Sequence, residues 1–351
     1  MSKYWSQVVR SIEPYVPGEQ PKDKTYVKLN TNENPYPPSP KVLAAIREAA
    51  NENLRLYPTP TCDELRQCIA QYYGLAKEEV FVGNGSDEVL AFSFQAFFNP
   101  GIPILFPDIT YSFYPVYSAL FHIDYKVVPL NGDFSIPVEQ FFENNGGIIF
   151  PNPNAPTGKY IPLEAVEAII QRNTEQVVIV DEAYIDFGGE SAVKLIKKYS
   201  NLLVVQTLSK SRSLAGLRVG LALGQKELID GLDRVKNSIN SYTLDQLALA
   251  GALASFEDEK YFQETRRKVI ATRDNFSASL TASGFNVIPS KANFIFISHS
   301  QMNADEIYQR LREKGILVRY FKKPRIDNFL RVSIGSDEEM ATLLQALNEI
   351  V

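Results

Sequence analysis

The chain has 351 residues and a net charge of −5, and it contains only four histidines and cysteines, His122, His299, Cys62 and Cys68. A metal cluster needs several closely spaced nitrogen or sulfur ligands, and a disulfide scaffold is shorter and richer in cysteine. Both are therefore excluded, as is any histidine-driven triad that does not use His122 or His299. Hydrophobic content of 45% and charged content of 22% fit a globular protein of one large or two modest domains. An acidic chain offers no global field for nucleic acid or an acidic membrane. No apolar run reaches the roughly 18 residues of a span, and residues 1–15 lack the apolar core of a signal peptide. A cytoplasmic location with reduced thiols is expected.

Seven prolines between Pro14 and Pro40 forbid a regular helix there. Tyr15, Tyr26, Val27 and Leu29 give this segment groups to bury, so it reads as an extended arm. Helices are predicted over 41–53 and 62–73. A short strand at Val80–Val82 runs through GNGSDE into an apolar helix ending near Phe98. Further buried strands follow at Ile104–Phe106, Tyr125–Val128, Ile148–Phe150, Val177–Val180 and Leu202–Gln206. Leu163, Val166, Ile169 and Ile170 make one helical face between two of them. Apolar strands alternating with amphipathic helices predict a mostly parallel sheet flanked by helices, an α/β fold.

After Leu223 the pattern changes. Residues 226–283 read as almost wholly helical, with Gly231 and Gly251 as weak interruptions. Asn293–Ile297, a helix at 304–313, Ile316–Val318, Phe329–Ile334 and a final helix then form a smaller α+β domain. Ser336 and Glu339 have the spacing of a capping box at the start of that helix. The predicted organisation is an arm over 1–40 packing with the small domain, a large domain over 41–245, and a small domain over 246–351.

Four segments end predicted strands, where parallel sheets bind ligands. Gly83-Asn84-Gly85-Ser86-Asp87-Glu88 puts a glycine turn at a helix N-terminus, a seat for phosphate; taken alone, it reads equally as a turn capped by Ser86 or Asp87. It lacks the third glycine of a dinucleotide fingerprint. Pro151–Gly158 is a stiff loop dense in Pro and Asn. Asp181 ends the apolar run Val177–Val180, as a carboxylate would that faces a cationic ligand group. Lys210 follows Thr207-Leu208-Ser209, with Arg218 eight residues on; each of these alone is also compatible with a solvated charge beside a strand.

In this order and spacing the segments resemble the fold-type-I pyridoxal-phosphate aminotransferases, with a finer likeness to the histidinol-phosphate aminotransferases. Leu29-Asn30-Thr31-Asn32-Glu33-Asn34-Pro35-Tyr36, Tyr15-Val16-Pro17-Gly18, Tyr57-Pro58, Thr110-Tyr111 and Leu330-Arg331-Val332 extend the likeness over the whole chain. The resemblance implies pyridoxal 5′-phosphate as cofactor, with Lys210 forming the Schiff base and moving the proton. It implies Asp181 at the ring nitrogen, Tyr184 at the ring oxygen and Tyr111 stacked on the ring. The N–H groups of Ser86 and Asp87 with the side chains of Ser209 and Arg218 are implied as the phosphate site, Gly85 and Thr207 as further cofactor-binding residues, and Tyr57 as reaching the phosphate of the neighbouring subunit's cofactor in a homodimer with shared active sites. Arg331 would clamp the glutamate carboxylate. Arg319, Tyr15 and Asn32 complete the substrate side. No residue is implied as a metal ligand.

This sequence departs from the family at two places. Ala155 stands where the family has Asn, and Asn154 is expected to take over its contact to the ring oxygen. Arg212 is unexplained, an added positive charge near the phosphates. The implied reaction converts histidinol phosphate and 2-oxoglutarate to imidazole-acetol phosphate and glutamate, in histidine biosynthesis. An aromatic or broad-range aminotransferase and a threonine-phosphate decarboxylase share the same Lys210 and Asp181. An effector-sensing regulator domain would need a DNA-binding module, and residues 1–40 are too short and too rich in proline for a helix-turn-helix.

Overall fold

A computed structural model describes residues 2–351. In chain order the helices are α1 (Gln7–Ser11), α2 (Pro40–Ala49), α3 (Asp63–Tyr73), α4 (Gly85–Phe97), α5 (Tyr114–Phe121), α6 (Leu163–Arg172), α7 (Lys226–Ile239), α8 (Gln246–Glu257), α9 (Glu259–Ala282), α10 (Ala304–Glu313) and α11 (Asp337–Ile350). The strands are β1 (Val27–Lys28), β2 (Val80–Asn84), β3 (Ile104–Pro107), β4 (Tyr125–Val128), β5 (Ile148–Pro151), β6 (Val178–Asp181), β7 (Leu202–Thr207), β8 (Val219–Gly224), β9 (Phe285–Ile288), β10 (Phe294–His299), β11 (Ile316–Leu317), β12 (Arg319–Tyr320) and β13 (Leu330–Ser333).

Seven strands form the main sheet in the order β2-β8-β7-β6-β5-β3-β4. Every pair is parallel except the two made by β8, which runs antiparallel to both β2 and β7. β5, β6 and β7 are buried at every residue, because helices cover both faces. That is the physical reason these strands read as unbroken apolar runs. One face packs Phe150, Val180 and Val204 with α3, α6 and α8. The other packs Phe106, Ile179 and Val205 with α4, α5 and α7. Burying each such side chain contributes about 1.5–3 kcal/mol.

The strand β8 was not anticipated as a separate element, because its VGLALG run follows the lysine loop without a strong turn signal. The long helical stretch breaks at 240–245, not at Gly231 or Gly251, which lie inside α7 and α8. The Asp245 carboxylate accepts from Ala248 N at 2.8 Å and caps the new helix. Ala248, Ala252 and Phe256 on α8 join the core of the main sheet, so the core of the large unit extends past the expected division at 245. We propose that the division falls between α8 and α9, near Asp258.

A four-stranded antiparallel sheet, β12-β13-β10-β9, forms the second layer system. It packs with α9, α10 and α11 around Ile295, Ile307, Val332 and Leu347. The expected capping box starts α11: Ser336 Oγ accepts from Glu339 N, and the Glu339 carboxylate accepts from Ser336 N at 2.8 Å. The arm docks on this unit. β1 pairs in parallel with β11, and Ser333 N donates to Leu29 O at 3.0 Å.

Candidate active site

The carboxyl ends of β6 and β7, the N-terminus of α4, the loop after β3, the arm and the second sheet enclose one cavity of about 240 Å³. It brings together residues as far apart in sequence as Tyr15 and Arg331.

At its floor lies Asp181, 4% exposed at the end of β6. Its Oδ2 accepts from Tyr114 Oη at 2.8 Å, and its Oδ1 accepts from Ala183 N at 3.2 Å. Burial pushes the carboxyl up to about 6, and those two donors oppose the rise. Among the described residues no cationic side chain pairs with it. A buried carboxylate in this state has room for a cationic ligand group. Tyr114, fully buried, is held well above the ordinary tyrosine range and keeps its proton for this bond.

Lys210 follows β7 and, among the described residues, is the one lysine that lines the cavity. Its Nζ donates to Thr31 O at 3.3 Å and lies 5.9 Å from the centre of the Tyr184 ring. Tyr184 Oη accepts from Asn32 Nδ2 at 3.0 Å. Asn32 sits at φ +57°, where its main-chain N donates to Ser333 Oγ and its carbonyl accepts from Asn293 Nδ2.

The start of α4 forms an anion seat. Ser86 and Asp87 line the cavity, and the first N–H groups of a helix have no partner within it. Two glycines clear the space. A Cβ on Gly85 would come within 2.5 Å of Arg218 Nη2, and one on Gly220 within 2.3 Å of Ser86 N. Asp87 holds the seat's other groups: its Oδ2 accepts from Arg218 Nη2 at 3.0 Å, and its Oδ1 from Tyr111 Oη at 2.8 Å. Thr207 Oγ1 donates to Ser209 Oγ at 3.0 Å, fixing both hydroxyls at the end of β7.

Arg319 and Arg331 line the same cavity. The Arg319 guanidinium donates to Val16 O at 3.0 Å and Pro17 O at 3.2 Å, and Arg331 Nη2 donates to Asn30 O at 2.9 Å. Phe294 and Phe321 flank Arg331 at 5.4 and 5.6 Å. Burial lowers the Arg331 pKa from its ordinary value. Tyr15 stacks on Phe113 at 4.3 Å and faces the same space.

Two expectations change, those for Asn154 and Arg212. Asn154 does not line the cavity: it is fully buried, and its Nδ2 donates to Ile109 O and Thr157 Oγ1, both at 3.0 Å. Its neighbour Ala155 faces the site instead, so Asn154 shapes the loop. Arg212 points away from the phosphate seat. Its guanidinium lies between Phe256 and Phe262, at 4.0 and 4.1 Å, and donates to Ser255 O at 2.6 Å. Tyr57 is 81% exposed, stacked on Tyr242 at 4.6 Å, and outside the cavity of its own chain. Sequence reasoning missed Tyr114, Thr31 and Phe321. Tyr114 left a signal, three residues beyond Tyr111 at a helix start, and Thr31 lay within the Leu29–Tyr36 motif.

The chain matches the model of the family described as aminotransferase class I and II over residues 24–347. That is the class the fold and the site define, and the chain belongs to it. More finely, it groups with the histidinol-phosphate aminotransferases. It is 62% identical to the histidinol-phosphate aminotransferase of Clostridium acetobutylicum, with all of both chains covered. It is 60% identical to histidinol-phosphate aminotransferase 1 of Hydrogenovibrio crunogenus, covering all of this chain and 99% of the other. Among solved structures, the histidinol-phosphate aminotransferase of Sinorhizobium meliloti in complex with pyridoxal-5′-phosphate superposes with a TM-score of 0.90 at 25% identity, over 100% of this chain and 98% of the other. An aspartate aminotransferase tetra mutant of Thermus thermophilus, at 22% identity and a TM-score of 0.85 over all of both chains, shares the fold.

The site fits pyridoxal 5′-phosphate. A helix N-terminus cleared by two glycines suits its phosphate, and a buried, cation-free carboxylate suits its ring nitrogen.

Proposed function

We propose that this chain transfers an amino group between histidinol phosphate and 2-oxoglutarate, with pyridoxal 5′-phosphate held by Ser86, Asp87, Ser209 and Arg218 at the phosphate and by Asp181 at the ring nitrogen. The observation that carries the substrate assignment is the pair Arg319 and Arg331, which face the cavity held only by main-chain carbonyls. Such a pair suits a doubly anionic phosphate in one half-reaction and a carboxylate in the other. The names of the relatives at about 60% identity point the same way.

When bound, the cofactor supplies an electron sink for the carbon that loses its proton. The chain supplies the rest. Lys210 Nζ takes and returns the proton at the substrate carbon, and its reach is set by Thr31 O. Asp181, fixed by Tyr114, holds positive charge at the ring nitrogen. Tyr184, fixed by Asn32, donates to the ring oxygen. Arg319, Arg331 and Tyr15 orient the substrate and displace water from it.

The test is a panel of half-reactions with histidinol phosphate, phenylalanine and threonine phosphate, read by loss of the cofactor's visible absorption. Histidinol phosphate should give the highest kcat/KM. A large preference for phenylalanine would replace the substrate assignment with an aromatic aminotransferase, and carbon dioxide release from threonine phosphate would replace it with a decarboxylase.

The working unit in this reading is a homodimer. Tyr57 supports it, standing exposed with Leu54 and Leu56 close by in sequence and with the exposed Tyr242 stacked on its ring. Mixing Tyr57→Phe chains with Lys210→Ala chains should restore some native-like sites, and no recovery would remove the shared-site reading.

A further inference from the structure

The arm segment 31–34 touches Lys210 twice. At the tip of the side chain, Nζ donates to Thr31 O. At its root, Asn34 Nδ2 bridges two main-chain carbonyls, Lys210 O at 3.0 Å and Ser211 O at 3.2 Å. The remaining polar atom of Asn34 is also used: Oδ1 accepts from Tyr36 N at 3.1 Å, which fixes the amide's orientation. The other main-chain bond to Lys210 O comes from Ser213 N at 3.4 Å, a longer contact.

The same segment is fastened to the second sheet. Asn32 N donates to Ser333 Oγ at 2.8 Å, Asn293 Nδ2 donates to Asn32 O at 2.9 Å, and Arg331 Nη2 donates to Asn30 O. A displacement of Arg331 or of its sheet therefore reaches Asn34 through a few residues of hydrogen-bonded arm. Among the described residues no hydrogen bond joins the second sheet to Asp181, whose partners are Tyr114 on α5 and Ala183 just past β6.

We propose that Asn34 is a positioning residue for Lys210, and that it couples the grip of Arg331 on the substrate to the placement of the lysine. The inference rests on the reading of Lys210 and Arg331 given above. Asn34 itself faces the lysine turn and has no contact with the reacting atoms. Its amide sets the main chain at 210–211, so the amine reaches its working position only with the arm seated on the second sheet.

Two variants test this. Asn34→Leu keeps the side chain's shape and removes both donors, while Asn34→Asp keeps the acceptor for Tyr36 N and loses the donors, so it carries the test if the first does not fold. In either variant, with far-UV circular dichroism unchanged, kcat should fall about 10- to 100-fold, the scale of a small misplacement at a reacting centre, while both KM values stay near wild type. In the cofactor-free protein, acetic anhydride should label Lys210 several-fold faster, as the amine leaves Thr31 O. A folded variant with wild-type kcat and labelling rate overturns the proposal, and so does a rise in KM at unchanged kcat. The labelling readout needs no substrate. If the wild type rejects histidinol phosphate and the labelling still changes, the substrate assignment falls and the positioning role stands.

Discussion

The two halves of the cavity handle charge in opposite ways. On the cofactor side, the cation Arg218 is already paired with Asp87. On the substrate side, Arg319 and Arg331 rest on the carbonyls of Val16, Pro17 and Asn30, and among the described residues neither meets a carboxylate. A charge held by neutral dipoles keeps most of its field for a ligand, whereas a paired charge has spent part of it on its partner. The cofactor side is thus balanced for a group that stays, and the substrate side is left positive for anions that come and go.

The largest effect expected from this contrast is at Arg331. Replacing it by Gln should lower kcat/KM for glutamate on the order of 100-fold, the scale of a lost charge-assisted hydrogen-bonded pair. Cofactor affinity, measured by absorbance titration, should stay close to wild type. An equal loss of cofactor affinity would break the division into two halves.

Asp181 sharpens it next. Its folded pKa lies above that of an ordinary Asp, so the folded protein binds the extra proton. Stability from this group is complete below the unfolded pKa near 4 and is lost as pH rises through about 6. In the cofactor-free protein, Asp181→Asn should therefore be more stable than wild type at pH 8, with the gain reaching about 3 kcal/mol and shrinking toward pH 4.5. Denaturant melts across that range measure it, and a gain independent of pH would assign the effect to something other than ionisation. Glu182, which burial pushes up to about 7, contributes a similar slope to both proteins and cancels in the difference.

The smallest expected effect on function is at Arg212. Its contacts with Phe256, Phe262 and Ser255 O make Arg212→Met a loss of about 1–3 kcal/mol of stability, with cofactor affinity unchanged. Weaker cofactor binding without a stability loss would return Arg212 to the phosphate seat.

Local sequence carried most of the scaffold. The apolar runs that became β5, β6 and β7 were legible because helices bury both faces, and the Ser336–Glu339 box was legible because its atoms lie three residues apart. Asp181 and Lys210 could be singled out because a parallel sheet gathers the carboxyl ends of its strands at one edge, whatever the chain's length between them, whereas Arg218 meets them there because it immediately precedes the antiparallel β8. Side-chain direction was not legible. Ala155 and Asn154 are neighbours in one loop, and only the packing of Asn154 against Ile109 and Thr157 decides that Ala155 faces the site.

The sparse histidines and cysteines and the alternating apolar runs determined by themselves an α/β scaffold without a metal cluster of histidines and cysteines, and the cofactor was implied only by the family resemblance that the acid, lysine and arginine segments carry. The tertiary structure alone decided which groups hold those residues in place. Tyr114 reaches Asp181 across 67 positions, Asn34 reaches Lys210 across 176, and Arg331 reaches Asn30 across 301. No local periodicity records such contacts, because they exist only once the sheet, the arm and the second layer have closed on one another.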